Sequence, residues 1–293
     1  MSRGAAEGLT TDDLMQLAVG LSGLDGVSPD SAVYVPGKNI RRILFGIDVG
    51  VPELLVAKQL GCDAAVSHHP EGGQALLNFH NMLWRHADFL KEAGVPPDAA
   101  DAAARRLSEA AEVQNHARNL DHAPSFARLL GMPYLNIHGP LDEIGRRRMV
   151  RALEENLARP ARQGDAGVGA GEGPTVGDVV NALYTLPELA SAPTRIAIRL
   201  GSAKKQAGRV LVAHAAGTNG GFEVAKAAFD HGVGTVAYIH VSPAILERLA
   251  GLYGGGRGNL VVTGHIASDL LGINPYIEAL EKRGIEVIRA SGL

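Results

Sequence analysis

The alternation of short apolar runs with helical segments is the feature that most limits the fold of this chain. Arg42 to Asp48 and Asp63 to Ser67 are typical of buried strands, and Val51 to Leu60 between them is typical of a helix with Pro52 in its first turn. These segments indicate a βαβ unit, which implies a parallel strand pair and a right-handed crossover. The second half of the chain repeats this alternation of strands and helices. The sequence therefore predicts an α/β protein whose parallel or mixed sheets are covered by helices.

Two adjacent histidines end the second apolar run. His68 and His69 follow Ser67 directly and precede Pro70, which cannot continue a strand ladder. In open parallel sheets, ligands bind beyond the carboxyl ends of the strands. Two neutral imidazoles there could bind a divalent metal, and the alternative is a loop that happens to contain two histidines. Asp48, at the same predicted edge, could be a ligand, a partner of a ligand or, as its position before a helix favours, an N-cap.

Two further segments contain residue types that bind metals. Asp121 precedes a helical run, so its carboxylate could cap that helix or bridge two ions. His265 and Asp269 follow another apolar run and lie four residues apart, which on a helix places them on one face. Three imidazoles and two carboxylates exceed what one tetrahedral ion needs. They suit two divalent ions of Zn, Mn, Fe, Co or Ni.

Three motifs occur in a fixed order along the chain: Ser67-His68-His69-Pro70, Asn119-Leu120-Asp121 and Gly264-His265-x-x-Ser268-Asp269. With this order the chain resembles the Nif-three-like (NGG-one-interacting factor three-like) dinuclear metal centre family, some of whose members are assigned as type 2 GTP cyclohydrolase I. The resemblance implies two linked α/β domains with a metal site at their junction, and a homohexameric ring. It also implies that the ligands of the two metals are His68, His69, Asp121, His265 and Asp269.

The chain departs from the usual family pattern at three places. Family members usually have Glu where this chain has Asp269, whose side chain is one methylene shorter. Their usual His-Thr-Asn-Leu-Asp places a histidine four residues before the aspartate, where this chain has Ala117. Here His116 lies five residues before, and Arg118 replaces the threonine. Glu71-Gly72-Gly73 replaces apolar residues, so the sequence predicts a divergent member in which His116 need not keep the family role.

The order of the predicted strands and helices indicates two domains. The first comprises residues 1–138 plus 260–293, and the second comprises residues 139–259. Residues 162–174 are rich in Gly and Ala, which predicts a flexible loop. The Gly-rich strand-to-helix turn at 217–221 could hold a phosphate on its amides or could be a close-packed turn. It lacks the Lys-Ser/Thr of a P-loop.

Charge and composition argue against several classes of function, although a local basic patch is not excluded. A formal net charge of −3 and a pI of about 6.4 argue against electrostatically driven binding to nucleic acids or anionic membranes. No run approaches the apolar length of a membrane span, and the first eight residues lack the apolar core of a signal peptide. Cys62, the single cysteine, could be a buried thiol or a thiolate ligand; with no intrachain disulfide possible, we expect a reducing, cytoplasmic location.

Two functional hypotheses follow from the sequence. The first is a metal-dependent hydrolase of a nucleotide-like substrate, in which His116, His122, His214 and His240 are candidates for proton transfer. The second is a non-catalytic metal-binding protein, a ring-forming interaction or regulatory protein in which the metals stabilise the folded assembly. The sequence contains no obvious general base, so it does not separate the two hypotheses.

Overall fold

The computed structural model describes residues 8–157 and 173–293 of the chain. The Gly-rich loop predicted at 162–174 therefore lies outside the described residues, apart from its last two positions. Within the described ranges, no helix is both long and apolar enough to cross a membrane.

The chain is a mixed α/β protein with two sheets, which confirms the predicted fold class. It divides into two compact units. The first unit comprises Met1–Met82, Ala111–Leu141 and Gly272–Leu293, and the second comprises Leu83–Ala110 and Asp142–Leu271. These units differ from the predicted domains mainly at residues 83–110, which the sequence assigned to the first domain.

Strands and helices are numbered along the chain. The strands are β1 (Ala32–Val35), β2 (Arg42–Gly46), β3 (Ala64–Ser67), β4 (Tyr134–Asn136), β5 (Ala197–Leu200), β6 (Val210–Val212), β7 (Thr235–Tyr238), β8 (Asn259–Val262) and β9 (Glu286–Ala290). The helices are α1 (Thr11–Ser22), α2 (Val51–Gln59), α3 (Gly73–Leu77), α4 (Phe79–Met82), α5 (Arg85–Glu92), α6 (Pro97–His116), α7 (His122–Leu130), α8 (Gly139–Leu157), α9 (Val176–Leu183), α10 (Pro187–Ser191), α11 (Gly221–Asp230), α12 (Pro243–Tyr253) and α13 (His265–Glu281).

The sheet of the first unit has the strand order β1-β4-β3-β2-β9. Strands β2 and β3 are parallel, with Ile43 opposite Ala64 and Gly46 opposite Ser67, and α2 connects them. This confirms the predicted βαβ unit. Strand β1 pairs antiparallel with β4, while the other neighbours are parallel. The residues after β2, β3 and β4 therefore lie at one edge of the sheet.

Helices α2 and α7 pack on this sheet. Leu54 of α2 and Ala127 of α7 share an apolar cluster with Leu44, Ala65 and Tyr134 of the strands, and all five residues are fully or almost fully buried. Complete burial of an aliphatic side chain of this size contributes about 1.5–3 kcal/mol. The packed sheet thus gives the polar residues at its carboxyl edge a rigid support.

The sheet of the second unit has the strand order β5-β8-β7-β6, with β5 antiparallel to β8 and the other neighbours parallel. Val224 of α11 and Leu249 of α12 belong to one apolar cluster on this sheet, and Val179 of α9 belongs to another. Polar residues again follow the carboxyl ends of the parallel strands: His214 after β6, His240 after β7 and His265 after β8.

Candidate metal centre

His68 and His69 lie where β3 ends. The backbone N–H of His68 donates to the carbonyl of Gly46, and that of His69 donates to the carbonyl of Ile47, each at 2.9 Å. These bonds fix the backbone of both histidines against the neighbouring strand. The ring centroids are 5.2 Å apart; His68 is fully buried and His69 is half-buried. Both rings can face one site because the regular alternation of the strand stops here.

His138 is the third imidazole at this edge. It follows β4 by two residues, and its backbone N–H donates to the hydroxyl of Ser31 at 2.9 Å. Its ring centroid lies 4.9 Å from that of His68 and 5.6 Å from that of His69. Each of the three rings, the histidine cluster, offers a nitrogen within 4.8 Å of the other two. Nitrogens bound to one Zn²⁺ at about 2.1 Å lie at most about 4.2 Å apart, so small ring movements would suffice.

Each imidazole of the histidine cluster has its Nδ1 against an oxygen. Nδ1 of His68 lies 3.0 Å from the carbonyl of Ile137, that of His69 lies 2.6 Å from Oδ1 of Asp48, and that of His138 lies 2.8 Å from Oδ2 of Asp30. A carbonyl or an ionised carboxylate only accepts hydrogen bonds, so each Nδ1–H donates. In the neutral ring the lone pair is then on Nε2. Such outer hydrogen bonds are what orient metal-binding histidines.

Asp30 is a fully buried residue whose carboxylate accepts a hydrogen bond from the His138 ring. Its Oδ1 accepts from the hydroxyl of Ser28 at 2.5 Å and from the backbone N–H of Gly139 at 3.2 Å. A Cβ on Gly139 would lie 2.6 Å from the Ser28 hydroxyl and 2.9 Å from Oδ1 of Asp30, so only glycine fits there without displacement. The amide of Asn136 donates to the backbone carbonyl of Asp30 at 2.8 Å. The Ser28 hydroxyl and the Gly139 N–H thus stabilise the buried carboxylate, while Asn136 fixes the backbone of Asp30.

The expected helix-capping role of Asp48 is wrong. The N-cap of α2 is Gly50, and Glu53 accepts the backbone N–H of that cap at 2.9 Å. Asp48 instead accepts a hydrogen bond from the His69 ring and so orients it. This is the alternative in which Asp48 is the partner of a metal ligand. Its own side chain is 66% exposed, so this ion pair is open to solvent.

Asp121 lies on the surface and pairs with Arg128. Nη2 of Arg128 donates to Oδ2 of Asp121 at 2.6 Å, and the Asp121 side chain is 63% exposed. Asp121 holds the N-cap position of α7, but within the described residues its side chain makes no capping hydrogen bond. Among the residues that the structure describes, the groups with mutually close ligand atoms do not include it. His116 and His122 are also exposed, and the His122 ring lies beside Phe126.

In the second unit, the structure brings together the predicted pair His265 and Asp269. They begin α13, and Nε2 of His265 lies 3.4 Å from Oδ2 of Asp269. The predicted shared helix face is therefore present. The Asp269 side chain is 1% exposed and that of His265 is 38% exposed, so the imidazole connects a buried carboxylate to the surface.

Asp142 and His214 form a second carboxylate–imidazole pair in this unit, with Oδ1 of Asp142 3.7 Å from Nε2 of His214 and both side chains buried. Gly145 lies beside them, since a Cβ there would approach Nε2 of His214 to 3.4 Å. The sequence analysis proposed His214 for proton transfer and did not single out Asp142. The signal that could have identified Asp142 is His138, which lies four residues before it, as in the family's usual His-Thr-Asn-Leu-Asp.

His240 contacts the Gly-rich turn. The Asn219 amide donates to its Nδ1 at 2.9 Å, and its ring centroid is 4.7 Å from that of His265. Desolvation of the ring lowers the pKa of His240, although the residue retains an exposed portion. In the turn, Gly220 has a φ of 82°, and a Cβ there would lie 2.4 Å from Val224. This close approach favours the close-packed alternative over a phosphate cradle.

Cys62 belongs to the apolar cluster of the first unit, beside Leu44 and Ala65. Burial raises the pKa of its thiol. Both observations favour the buried-thiol alternative. The donors of the histidine cluster are therefore imidazole nitrogens, a set that suits Zn, Fe, Co or Ni and is unlike the thiolate-rich set of a structural zinc site.

Comparison with solved structures identifies the family. The chain is 49% identical to a NIF3 superfamily protein from Sphaerobacter thermophilus, with 98% of this chain and 100% of that chain covered and a TM-score of 0.90. The chain therefore belongs to the NIF3 superfamily, which confirms the predicted Nif-three-like resemblance. A scan against protein-family models and a search of curated proteins found no match.

Two more distant structures share the fold. Reduced HcgD from Methanocaldococcus jannaschii is 13% identical, with 97% of this chain and 99% of that chain covered and a TM-score of 0.56. The protein YbgI, of unknown function, is 15% identical, with 97% and 98% covered and a TM-score of 0.51. At these identities the likeness concerns the fold alone.

Proposed function

We propose that this chain is a divalent-metal-dependent hydrolase that acts on a nucleotide-like substrate. The observation that carries the proposal is the histidine cluster, whose ligand atoms lie within 4.8 Å of one another while an oxygen holds each Nδ1. Preoriented neutral imidazoles are typical of metal sites. Three imidazoles that converge on one point support metal binding more strongly than a single histidine would.

The proposed centre contains two divalent ions drawn from Zn, Mn, Fe, Co and Ni. In the first unit the histidine cluster would supply nitrogen ligands. In the second unit His265 and Asp269 would supply a nitrogen and a carboxylate from one helix face. When bound, the ions would supply Lewis-acid stabilisation of the negative charge that develops on a phosphoryl or carbonyl oxygen.

The chain's own residues would orient the ligands and move protons. Asp48 and Asp30 fix the ring planes of His69 and His138. His240 is a proposed hydrogen-bond donor to the substrate. Desolvation lowers its pKa. Because Asn219 donates to Nδ1, a proton of the ring is on Nε2.

The nucleotide-like substrate and the homohexameric ring rest on the family resemblance, in which some relatives are assigned as type 2 GTP cyclohydrolase I. The alternative, a metal-binding protein without turnover, shares the same metal ligands. Metal content together with a search for turnover therefore separates the two functions.

The test combines elemental analysis of the purified protein with a hydrolysis screen of GTP, other nucleotides and simple phosphoesters, with and without a chelator. We expect turnover that the chelator removes and that His68→Ala lowers by at least about 100-fold. His231→Ala, which removes an exposed imidazole of the second unit, is the matched control and should keep wild-type metal content. Metal-replete protein that hydrolyses nothing in the panel would refute the enzymatic proposal and leave the non-catalytic one.

A further inference from the structure

We propose that the second unit contains a binding site for a small organic cation with an apolar body, of the arylalkylamine class. The site is the β6 cleft, which is bounded by α5, α8 and β6 and has a volume of about 250 Å³. Pockets for drug-sized ligands start at about 300 Å³, so this cleft suits a smaller molecule. Its lining residues include no proposed metal ligand and no candidate for proton transfer, so the proposal is independent of the proposed function.

The side walls of the β6 cleft are apolar. Strand β6 is the last strand of its sheet, and a different apolar cluster covers each of its faces. Phe89 of α5 and Leu211 belong to one cluster, whereas Leu153 of α8 and Val212 belong to the other. Val150 of α8 is only partly buried where it borders the cleft. The apolar body of a ligand would therefore remove hydrocarbon surface from water on both sides.

The floor of the β6 cleft is the open edge of the strand. The carbonyl of Arg209 and the N–H of Ala213 each bond to β7 at 3.0 Å, and in a strand every second residue faces the same neighbour. The main-chain groups of Val210 and Val212 therefore point away from β7. Among the described residues these groups have no hydrogen-bond partner. A few convergent polar groups beside apolar walls are typical of small-molecule sites.

The two ends of the β6 cleft differ in charge. At one end, the guanidinium of Arg146 lies 4.4 Å from the centroid of the Phe89 ring. It donates to the buried Glu143 at 2.8 and 3.0 Å, which compensates its charge. The other end has the exposed carboxylates of Glu92 on α5 and Glu154 on α8. Glu154 follows Arg146 by about two helical turns, so roughly 12 Å separate the two ends along α8.

The acidic end determines the class of ligand. In the part of the chain that the structure describes, no basic side chain forms an ion pair with Glu92 or Glu154. The guanidinium of Arg209 donates instead to the carbonyls of Ala93 and His231, at 2.6 and 2.9 Å. An ammonium group at this end would face both carboxylates while its apolar body fills the cleft. A neutral molecule of the same shape would gain only the apolar contact.

The experiment compares benzylamine with benzyl alcohol, which has the same shape without the charge, by amide NMR titration of the full chain. Benzylamine should shift the amide signals of Val210, Leu211 and Val212 and bind at least about 5-fold more tightly than the alcohol. The double variant Glu92→Gln/Glu154→Gln should abolish this difference and leave the affinity for the alcohol unchanged. Equal affinity of the two probes for the wild type, or shifts confined to residues outside the cleft, would overturn the proposal.

Val150→Trp tests the cleft itself, because the indole would occupy the space of the ligand. Neither probe should bind to this variant. Leu252→Trp places the same side chain at an exposed position of α12 outside the cleft and should bind both probes as the wild type does. Circular dichroism verifies both folds, and wild-type affinity in folded Val150→Trp would refute the proposal. If Val150→Trp does not fold, the amide shifts and the glutamine double variant decide the outcome.

Discussion

The imidazoles of the two units face their carboxylates with opposite nitrogens. In the first unit, Asp48 and Asp30 contact the Nδ1 atoms of His69 and His138. In the second unit, the carboxylates face Nε2. Asp269 lies 3.4 Å from Nε2 of His265, and Asp142 lies 3.7 Å from Nε2 of His214.

The contrast shows how one pair of residue types can serve two purposes. A carboxylate on Nδ1 fixes the tautomer and directs the lone pair of Nε2 outward, so the first unit offers nitrogen ligands. A buried carboxylate on the Nε2 side offers its own oxygens, and in the second unit Asp142 and Asp269 are both nearly inaccessible to solvent. The first unit therefore offers imidazole nitrogens as metal ligands, whereas the second unit offers buried carboxylate oxygens.

The largest expected effect is the loss of metal-dependent stability when the nitrogen donors are removed. Zinc at 100 times its dissociation constant should raise the free energy of unfolding of the wild type by about 2.7 kcal/mol. The double variant His68→Ala/His69→Ala should gain nothing from zinc. Urea unfolding with zinc and with chelator measures both values, and an equal gain in the variant would contradict the assignment of nitrogen donors to the first unit.

A pH effect is expected from the buried imidazole of His86, whose pKa desolvation lowers despite a hydrogen bond to the backbone of Thr218. His86 in the second unit is fully buried, and burial lowers its pKa to about 3 from 6.5. Between these values only the unfolded chain takes up the proton. The stability present above pH 6.5 is therefore lost as the pH falls towards 3, at up to about 1.4 kcal/mol per pH unit.

His86→Leu should flatten this dependence. Urea unfolding at pH 7, 6, 5 and 4 gives the slope for the wild type and for the variant. His231→Ala removes an exposed histidine and should retain the wild-type slope. Equal slopes in the wild type and His86→Leu would show that His86 does not titrate differently in the folded state.

Substitutions at two glycines of α8 test how tightly each unit is packed around its buried carboxylate, Asp30 in the first unit and Asp142 in the second. Gly139→Ala would place a Cβ 2.6 Å from Ser28 and Met82 in the first unit, and overpacking of this kind costs about 1–3 kcal/mol. Gly145→Ala in the second unit approaches nothing closer than 3.2 Å and gains helix propensity, so we expect a change within about 1 kcal/mol. Chemical denaturation compares the two, and equal losses would refute the tighter packing around Asp30.

The smallest effect concerns the surface pair Asp121 and Arg128. Because both side chains are exposed and solvent screens the pair, Asp121→Ala and Arg128→Ala should each leave stability nearly unchanged. Thermal unfolding measures both variants. A larger loss in Asp121→Ala alone would indicate a capping role, which typically contributes about 0.5–2 kcal/mol.

Local patterns predicted several parts of this molecule correctly. The βαβ unit followed from two apolar runs around a helical segment, and β2 and β3 are indeed parallel. The spacing of His265 and Asp269 placed them on one helix face, since four residues are close to one helical turn. In both cases the interacting residues are close in sequence or belong to consecutive elements, so periodicity was sufficient.

Other features depended on contacts between distant residues. Residues 73–92 form the three short helices α3, α4 and α5, and Met82 and His86 in this stretch are buried by contacts that a local pattern does not record. His138 was missed because its partner Asp30 is 108 residues away in the chain. The role of Asp48 also depended on the position of His69 across the sheet edge.

The sequence by itself determined the α/β class, the strand end at His68 and His69, and the residue types of a metal site. Tertiary structure alone decided which nitrogens and oxygens act together. Strand order brought β4 beside β3 and thereby added His138 to the pair, and the pairing of β1 with β4 accompanies the contact of Asp30 with its Nδ1. Hydrogen bonds act over about 3 Å, whereas a sequence pattern records only separation along the chain.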